Sequence, residues 1–413
     1  MPARQPLPLA GLRVLDLSRV LAGPLSTMVL ADLGADVLKV EAPGGGDETR
    51  SWGPPFVGGE STYFLAINRG KRDVVLNLAD PGDRALLERL VAEWADVVVE
   101  TFRPGSFARL GLDVDRLLSS APHVIWATVR GYPPPDDRPG YDFVIQAGIG
   151  LMALTGPADG APYKVGVAVA DMLAGLYLAA GVLAAVVRRG RSGAGGRVAV
   201  SLAEAAAASL INVGQSVITT GQPPQRQGNA HAQLAPYEVF QAADGPLAVG
   251  VGNDRQFRAL AAATGHAALA DDPRFLDNRS RVAHRHALAA VLNAALSERP
   301  VAEWCRVLAA AGVPADAVRS VPDALAMAKG WGQVGTAWHE RLGPLDLVGS
   351  PLWFDGQRLP LPAAPPWHGQ DGSDVRRQWG LPDSRRAAAP DRRPRSNSTE
   401  KNRSETSGTF TEK

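Results

Sequence analysis

Cysteine, net charge and the common catalytic motifs are scarce in this sequence of 413 residues. A single cysteine, Cys305, excludes an internal disulfide framework and a cysteine-based metal cluster. A formal net charge of +1 gives no electrostatic reason to expect nucleic acid or a membrane surface as a partner. No HExxH and no GxSxG motif occurs, so the signatures of zinc metalloproteases and of α/β-hydrolases are absent.

Long apolar runs are also rare, and the main one is interrupted by an acid. The stretch 165–191 is almost wholly apolar but contains Asp171. Only 16 uncharged residues separate Asp171 from Arg188, whereas a membrane-spanning helix needs about 20 residues. The N-terminus has no apolar stretch of the length that a signal peptide needs. We therefore predict a buried helix, no membrane partner and a cytoplasmic location.

The first half of the chain alternates short apolar strands with helical segments. Strands at 13–17 and 36–41 flank a helix at 24–34, and this βαβ unit implies parallel strands with a right-handed crossover. Continuous apolar runs of this kind are typical of strands that are buried on both faces. The pattern predicts an α/β fold with a doubly wound, Rossmann-like large domain. The other predicted strands are 73–78, 96–100 and 123–129, and the other helical segments are 80–95 and 103–121.

The second half of the chain has a different pattern of strands, helices and loops. A strand near Arg197 leads into a long helix, and 237–252 is predicted to be a hairpin that turns at Asp244–Gly245. Strand-like residues 342–354 are predicted to return to the first domain. The predicted divisions are a large domain at 1–224, a small α+β domain at 225–325, a return segment at 326–381 and a disordered, polar tail at 382–413.

Three strand ends carry groups that suit a ligand with several phosphates. Residues 18–26 follow the first strand, where open α/β sheets bind ligands, and they contain neither GxGxxG nor GxxxxGK. Lys71 and Arg72 precede another strand, and they are either phosphate ligands or part of a solvated basic loop. Arg103 and Arg109 follow a third strand. Taken together, these positions favour a polyphosphate ligand more than any one of them does alone.

Asp171 is the candidate nucleophile, although capping of the apolar helix is an equally simple role for it. An aspartate near a helix start accepts backbone N–H bonds and suits the helix dipole. Such a position is expected to keep the carboxylate ionised, as a carboxylate nucleophile requires. The small residues Ala170, Ala174 and Gly175 are expected to leave room for a bulky electrophile beside it.

Several segments together resemble the class III coenzyme A transferases, the family of formyl-CoA transferase and crotonobetainyl-CoA:carnitine CoA-transferase. They span about residues 10–381. The resemblance implies that both chain ends build the large domain, that two protomers interlock as a homodimer, and that Asp171 is the catalytic aspartate. It also implies that no metal and no permanently bound cofactor is used. The segments are LDLSRVLAGPLSTMVLADLGADVLKVE (15–41), NRGKRDVVLNL (68–78), FRPGSFARLGL (102–112), YDFVIQAGIGLMALTG (141–156), VGVAVADMLAGLYLAAGVLAAV (165–186) and 228–257.

The same resemblance implies where coenzyme A binds. The contacts carried over to this sequence are Leu21, Ala22, Leu76, Asn77, Thr101, Phe102, Arg103, Arg109, Tyr141 and Asp142. The sequence departs from the family at Thr101, where asparagine is common, and at Ala79, where lysine is frequent. The glycine-rich loop of formyl-CoA transferase has no counterpart, which predicts that oxalate and formate are not substrates.

The activity implied is transfer of coenzyme A from an acyl-CoA to a carboxylic acid, through an aspartyl anhydride and an enzyme–CoA thioester on Asp171. Two alternatives stay open. An α-methylacyl-CoA racemase of the same fold would be expected to carry a histidine–aspartate pair where this chain has Tyr141 and Asp142. A non-catalytic protein that only binds coenzyme A is the other.

Overall fold

The computed structural model describes residues 6–381 and shows a mixed α/β fold around a parallel central sheet. The predicted tail at 382–413 lies outside the described residues. The strands are β1 (Arg13–Leu17), β2 (Asp36–Glu41), β3 (Phe56–Val57), β4 (Glu60–Ser61), β5 (Lys71–Val75), β6 (Val97–Glu100), β7 (Ile125–Arg130), β8 (Gly196–Ser201), β9 (Tyr237–Ala242), β10 (Gly245–Gly250), β11 (Ala315–Ala317), β12 (Val334–His339), β13 (Gly343–Val348), β14 (Trp353–Phe354) and β15 (Gln357–Arg358).

Helices connect these strands, and seven of the sixteen described α-helices begin at a residue whose side chain accepts a backbone N–H group. Asp80, for example, accepts the backbone N–H groups of Gly82 and Asp83 at the start of α3. The helices are α1 (Ala22–Asp32), α2 (Thr62–Ile67), α3 (Pro81–Arg89), α4 (Ser106–Arg109), α5 (Val114–Ser120), α6 (Asp142–Gly148), α7 (Leu151–Leu154), α8 (Val169–Ser192), α9 (Leu202–Ala208), α10 (Ile211–Thr220), α11 (Asp254–Ala263), α12 (Asn278–Ala283), α13 (Arg285–Leu296), α14 (Val301–Ala310), α15 (Val321–Gly330) and α16 (Gly372–Gln378), with short 3₁₀ turns at Glu48–Ser51 and Ala267–Ala270 and a π turn at Leu90–Trp94.

The central sheet has the order β5-β2-β1-β6-β7-β8, and its neighbouring strands are all parallel. The chain runs outward from β1 through β2 to β5, and then continues on the other side through β6, β7 and β8. The strand order therefore reverses between β1 and β6. In open α/β sheets the crevice outside the carboxyl ends of the strands at such a point is the usual place for a ligand.

Alternate residues of the sheet enter two different apolar cores. Val14, Val97 and Ile125 belong to a core that includes α1, α8 and α9. Leu15 and Val98 belong to a core on the opposite face, which includes α3, α5 and Val375 of α16. This alternation follows from the period of two along a strand, and it explains why the strands read as continuous apolar runs.

Helix α8 is the long apolar stretch that carries Asp171 in its first turn. Among the described residues it is the one helix long and apolar enough to cross a membrane by length and composition. Ala170, Ala174, Leu178 and Val182 of α8 are buried in the first core against α1 and the sheet. This packing confirms the prediction of a buried core helix.

The region after α10 forms a third apolar core of its own. Strands β9 and β10 pair as the predicted antiparallel hairpin. Its two turn residues are Ala243 and Asp244, one position earlier than predicted, because Ala242 pairs with Gly245. Residues 363–376 lie against the central sheet instead, where Gly70 N–H donates to Ala363 and Asp371 N–H donates to Asp73.

Three other expectations are wrong in detail. The strand predicted at 73–78 begins earlier, at Lys71, and the helical stretch 103–121 is two short helices. The long helix expected after β8 is broken into α9 and α10 at Ile211, whose φ is 38°. Strand β13 pairs with β12 in a separate hairpin, and Arg341 in its turn lies 4.0 Å from Glu60 of β4. The return of 342–354 to the first domain stays a prediction.

Candidate active site

A cavity of about 210 Å³ lies beyond the carboxyl ends of β1, β6 and β7. Its wall includes Asp171 and six of the residues predicted to bind coenzyme A. These are Leu21, Ala22, Thr101, Phe102, Arg103 and Tyr141. The cavity therefore sits where the strand order reverses, and loops that are far apart in sequence meet there.

Asp171 lies in the first turn of α8 and is 8% exposed. Within the described residues its carboxylate has neither a hydrogen-bond partner nor an ion-pair partner, although it lines the cavity. Burial and, to a smaller extent, the nearby carboxylate of Asp142 together raise the pKa of Asp171 to about 7. The expectation that the helix start keeps this group fully ionised is therefore wrong.

Asp142 performs the capping role that the sequence assigned to Asp171. Its Oδ1 accepts the N–H of Ala170 at 2.8 Å, and its Oδ2 accepts Nε2 of Gln146 at 2.7 Å. Gln146 is fully buried and accepts the N–H of Val165 at 2.9 Å. Asp142 and Gln146 thus hold the segment that leads into α8. Asp142 is not part of the cavity wall, which makes it a support of Asp171.

The loop after β1 is fixed from below by a buried ion pair. Nζ of Lys39 donates to the carbonyl of Ser18 at 2.8 Å and to Asp47 Oδ2 at 3.0 Å. Oδ1 of Asp47 accepts the N–H of Val20 at 3.2 Å. Val20 has a φ of 71°, a conformation that a β-branched residue rarely adopts. The surrounding contacts therefore impose the shape of this loop, which positions the start of α1.

The first turn of α1 borders the cavity through Ala22 and has backbone N–H groups that no described residue accepts. Leu21 occupies the capping position without a side-chain cap, and Pro24 has no N–H to offer. The N–H groups of Ala22 and Gly23 have no protein acceptor among the described residues. A helix start with free N–H groups favours negative charge.

Gly175 sets the distance between α1 and α8. A Cβ atom built on Gly175 would lie 2.6 Å from the carbonyl oxygen of Ala22. Ala170 and Ala174 are fully buried in the core. The small residues beside Asp171 therefore allow the two helices to approach each other, and the expectation that they leave room for an electrophile is wrong. Asp171 lies one turn before Gly175 on the same helix face, next to the start of α1.

A second cavity of about 270 Å³ continues from the first, since both are lined by Arg19 and Phe102. It lies beyond the carboxyl ends of β1, β2 and β5, and its wall includes Leu76, Asn77 and Ala79. The two predicted contacts at 76 and 77 are thus placed in this neighbouring cavity. Arg109 lines neither cavity, and its guanidinium donates to Ser106 Oγ at 2.8 Å.

The two cations proposed from the sequence at 71–72 are engaged elsewhere. Lys71 is buried, and its Nζ donates to Asp16 Oδ2 at 3.0 Å and to the carbonyl of Pro24 at 2.9 Å. Arg72 pairs with Asp36 at 2.8 Å. Both alternatives weighed for Lys71, a phosphate ligand and a solvated loop residue, are therefore wrong.

Glu48 is a residue of the cavity wall that the sequence did not predict. It lies 3.3 Å from Arg19 and 3.5 Å from the hydroxyl of Tyr141. Tyr63 does not line the cavity, but burial together with Asp171, Asp142 and Asp47 raises its pKa to about 12. Both residues lie between the segments that carried the family resemblance, so no motif pointed to them.

The chain is similar in sequence to known proteins over most of its length. Residues 9–372 match the model of the CoA-transferase family III. The chain is 39% identical over 393 residues to the acetyl-CoA:oxalate CoA-transferase of Acetobacter aceti, which covers 93% of this chain and 99% of that protein. It is 43% identical to a succinate–glutarate CoA-transferase of Agrobacterium fabrum, with 79% and 83% of the two chains covered.

The fold also resembles solved structures. A CAIB/BAIF family protein from Brucella suis superposes with a TM-score of 0.79 at 38% identity, and the match covers 91% of this chain and all of that chain, 100%. A hypothetical protein from Mycobacterium tuberculosis gives a TM-score of 0.78 at 30% identity, with 90% of this chain covered and 100% of the other.

Proposed function

The chain belongs to the CoA-transferase family III and is a CoA-transferase, and from this premise we propose that Asp171 carries the acyl group and then coenzyme A during the transfer. The observation that supports this most directly is a buried carboxylate without a counter-ion at the wall of the first cavity. A carboxylate that served only the fold would be paired or hydrogen-bonded.

The proposed reaction has four displacements. The carboxylate of Asp171 attacks the thioester carbonyl of the donor, and the C–S bond breaks to give a mixed anhydride and the CoA thiolate. The thiolate attacks the aspartyl carbonyl, expels the donor acid and leaves an enzyme–CoA thioester. The acceptor carboxylate then attacks this thioester and releases the thiolate. Finally, the thiolate attacks the acceptor's acyl carbonyl, and the new acyl-CoA departs from the regenerated Asp171 carboxylate.

Backbone donors support the charge that develops in each displacement. Every step passes through a tetrahedral carbon that carries an oxyanion. The free N–H groups of Ala22 and Gly23 lie at the start of α1, on the side of α8 that carries Asp171. We assign the oxyanion stabilisation to these two groups. The ion pair of Lys39 with Asp47 keeps the preceding loop in the conformation that this role requires.

The substrates are a CoA thioester and a carboxylic acid. We propose that the pantetheine end of coenzyme A enters the first cavity and that the adenosine end occupies the second, along Leu76 and Asn77. Relatives are named for acetyl-CoA or succinyl-CoA donors and for oxalate or glutarate acceptors. Because one relative is named for oxalate, the missing glycine-rich loop no longer excludes that acid, and short dicarboxylates are the first acceptors to test. The proposal includes no metal and no permanently bound cofactor.

The racemase alternative needs a second base, and the relatives do not favour it. Tyr141 is 53% exposed, and it stands where a racemase would be expected to carry a histidine as that base. We expect no exchange of the α-proton when a 2-methylacyl-CoA is incubated with the enzyme in deuterium oxide. Rapid exchange, measured by mass spectrometry, would place the enzyme with the racemases. A protein that only bound coenzyme A would show no turnover with any donor.

We further propose that the active form is an interlocked homodimer in which both chain ends build the large domain. Exposed apolar side chains on α8 and on the β12–β15 region favour a covered surface. They include Leu176, Tyr177, Trp338 and Trp353, which are 49%, 53%, 72% and 57% exposed. A monomer in light scattering at micromolar concentration would contradict this proposal. The cytoplasmic location stays a prediction, which cell fractionation can test.

The covalent mechanism is tested by trapping. The enzyme is incubated with acetyl-CoA or succinyl-CoA, quenched with hydroxylamine or borohydride, digested and analysed by mass spectrometry. We expect modification of Asp171 alone, because only an acylated or thioesterified aspartate reacts under these conditions. Asp142→Asn serves as a matched control in which a neighbouring carboxylate is removed but the modification at Asp171 persists. Transfer without any modified Asp171 would contradict the mechanism.

A further inference from the structure

Ala42 and Ala79 line the second cavity near the ends of β2 and β5, so neither strand end places a cation on its wall at these positions. The cations on the same wall are Lys39 and Arg19, and each already faces a carboxylate. Lys39 is fully buried against Asp47. The cavity wall itself therefore leaves the adenosine end of coenzyme A without a free positive charge.

Arg84 of helix α3 is not one of the residues that line the second cavity, but its guanidinium contacts residues that do. Its Nη1 donates to the carbonyl of Leu78 at 3.2 Å and to that of Ala79 at 3.0 Å. Its Nε would lie 3.6 Å from a Cβ atom on Gly111, next to Leu110, which is part of the wall. The half-buried side chain thus lies between two loops that each contribute residues to the cavity wall.

The guanidinium of Arg84 has hydrogen-bond donors and a positive charge that the described residues leave unpaired. Among the described residues it forms no ion pair, and its Nε and Nη2 have no protein acceptor. The two nearby acids, one just before α3 and one in its first turn, already have hydrogen-bond partners. Asp80 caps the helix, and Asp83 accepts the N–H of Asn77 and pairs with Arg376 at 2.7 Å.

We propose that Arg84 binds the 3′-phosphate of coenzyme A and so replaces the cation that Ala79 does not provide. This inference rests on the proposed placement of coenzyme A across the two cavities. With the thioester at Asp171, the opposite end of the ligand, which carries the 3′-phosphate, lies beyond Phe102 in the second cavity. A planar guanidinium with two free donor positions matches the geometry of a phosphate.

The proposal makes Arg84 a specificity residue for the phosphate and leaves the loop contact as a second role. The two roles differ in their dependence on the ligand. Loss of a loop support would weaken binding of every CoA analogue, whereas loss of a phosphate ligand would weaken only those analogues that carry the phosphate. The comparison of coenzyme A with 3′-dephospho-coenzyme A separates the two.

The test is isothermal titration calorimetry of the full chain with coenzyme A and with 3′-dephospho-coenzyme A. Arg84→Gln is expected to weaken coenzyme A about tenfold, since a charge-assisted hydrogen bond is lost, and to leave the dephospho analogue unchanged. Arg84→Lys is expected to restore part of the preference. Arg116→Gln, which removes an exposed cation on α5 that pairs with Glu88, is the control and is expected to change neither affinity.

Equal weakening of both ligands by Arg84→Gln, or no change in either, would overturn the assignment of Arg84 while the proposed function stands. Failure of the unaltered protein to bind coenzyme A at all would instead overturn the proposed function, and the role of Arg84 with it.

Discussion

Asp16 and Asp171 are two aspartates in the same end of the molecule, and their surroundings are opposite. Asp16 is fully buried in β1. It accepts hydrogen bonds from Lys71, from the hydroxyl of Thr27 and from the hydroxyl and N–H of Ser18. Asp171 is almost as deeply buried, but no donor and no cation among the described residues reaches its carboxylate.

The two carboxylates consequently differ in their readiness to carry charge. Burial by itself would raise the pKa of Asp16, but Lys71 and Lys39 outweigh it and hold that pKa well below its usual range. For Asp171 burial acts unopposed, and its pKa rises to about 7. The protein places its buried cations under the first loop, where they fix the backbone, and keeps them away from Asp171, the proposed nucleophile. An uncompensated carboxylate is a better nucleophile than one neutralised by an ion pair.

The same substitution at the two sites gives the largest contrast. Asp171→Asn is expected to lower kcat for CoA transfer on the order of 10³-fold or more, because the amide cannot form the anhydride. Binding of coenzyme A, measured by calorimetry, is expected to persist, because its contacts lie on other residues. Transfer at more than a few per cent of the original rate in this variant would remove Asp171 from the mechanism.

The stability effects of the same pair are expected to have opposite signs. Asp16→Asn leaves Lys71 buried without its anion, which is expected to cost about 3 kcal/mol in the free energy of unfolding. Asp171→Asn is expected to add about 2 kcal/mol at pH 8. The pKa of Asp171 is raised in the folded state, so ionisation opposes folding above the unfolded pKa, and the gain disappears near pH 4. Urea unfolding at the two pH values measures both effects. Destabilisation by both variants would show that Asp171 has a stabilising partner.

A smaller change at Asp142 sharpens the contrast further. Asp142→Asn keeps an oxygen that can accept the N–H of Ala170 but removes the like charge beside Asp171. The pKa of Asp171 is therefore expected to fall, and the acid limb of the pH–rate profile is expected to move about one unit toward lower pH. Glu204→Gln, at the start of α9 and outside the cavity wall, is the control variant. An unchanged acid limb in Asp142→Asn would mean that Asp142 acts only through the backbone.

The elements that sequence predicted well are those fixed by local patterns. Strands β1 and β2 match the expected bounds because each is a short segment rich in Val and Leu, although Asp16 or Lys39 interrupts it, and one face of α8 is buried in the first core. Asp171 stood out as an acid in an apolar stretch, and the family resemblance implied its catalytic role. Its missing counter-ion could not be predicted, because that feature depends on where Lys39 and Lys71 point, and Lys71 pairs with Asp16, 55 residues earlier in the chain.

The roles of Asp142 and Lys71 were misjudged for a similar reason. A cap supplied by another helix leaves no trace in the sequence around α8, so the nearest acid, Asp171, was the natural candidate. Lys71 resembled a surface cation because Arg69 and Arg72 flank it, but the alternation along β5 turns it into the interior beside Asp16. Burial and partner choice are properties of the assembled sheet.

The missing counter-ion at Asp171 also affects which state of the proposed cycle is electrostatically favoured. When Asp171 carries an acyl group or coenzyme A in the proposed cycle, it is a neutral anhydride or thioester, and burial no longer opposes a charge at this position. The free enzyme, with a buried and unpaired carboxylate, is then electrostatically disfavoured relative to the covalent adducts, which are neutral at Asp171. Such an enzyme would be expected to remain as the enzyme–CoA thioester until an acceptor acid binds.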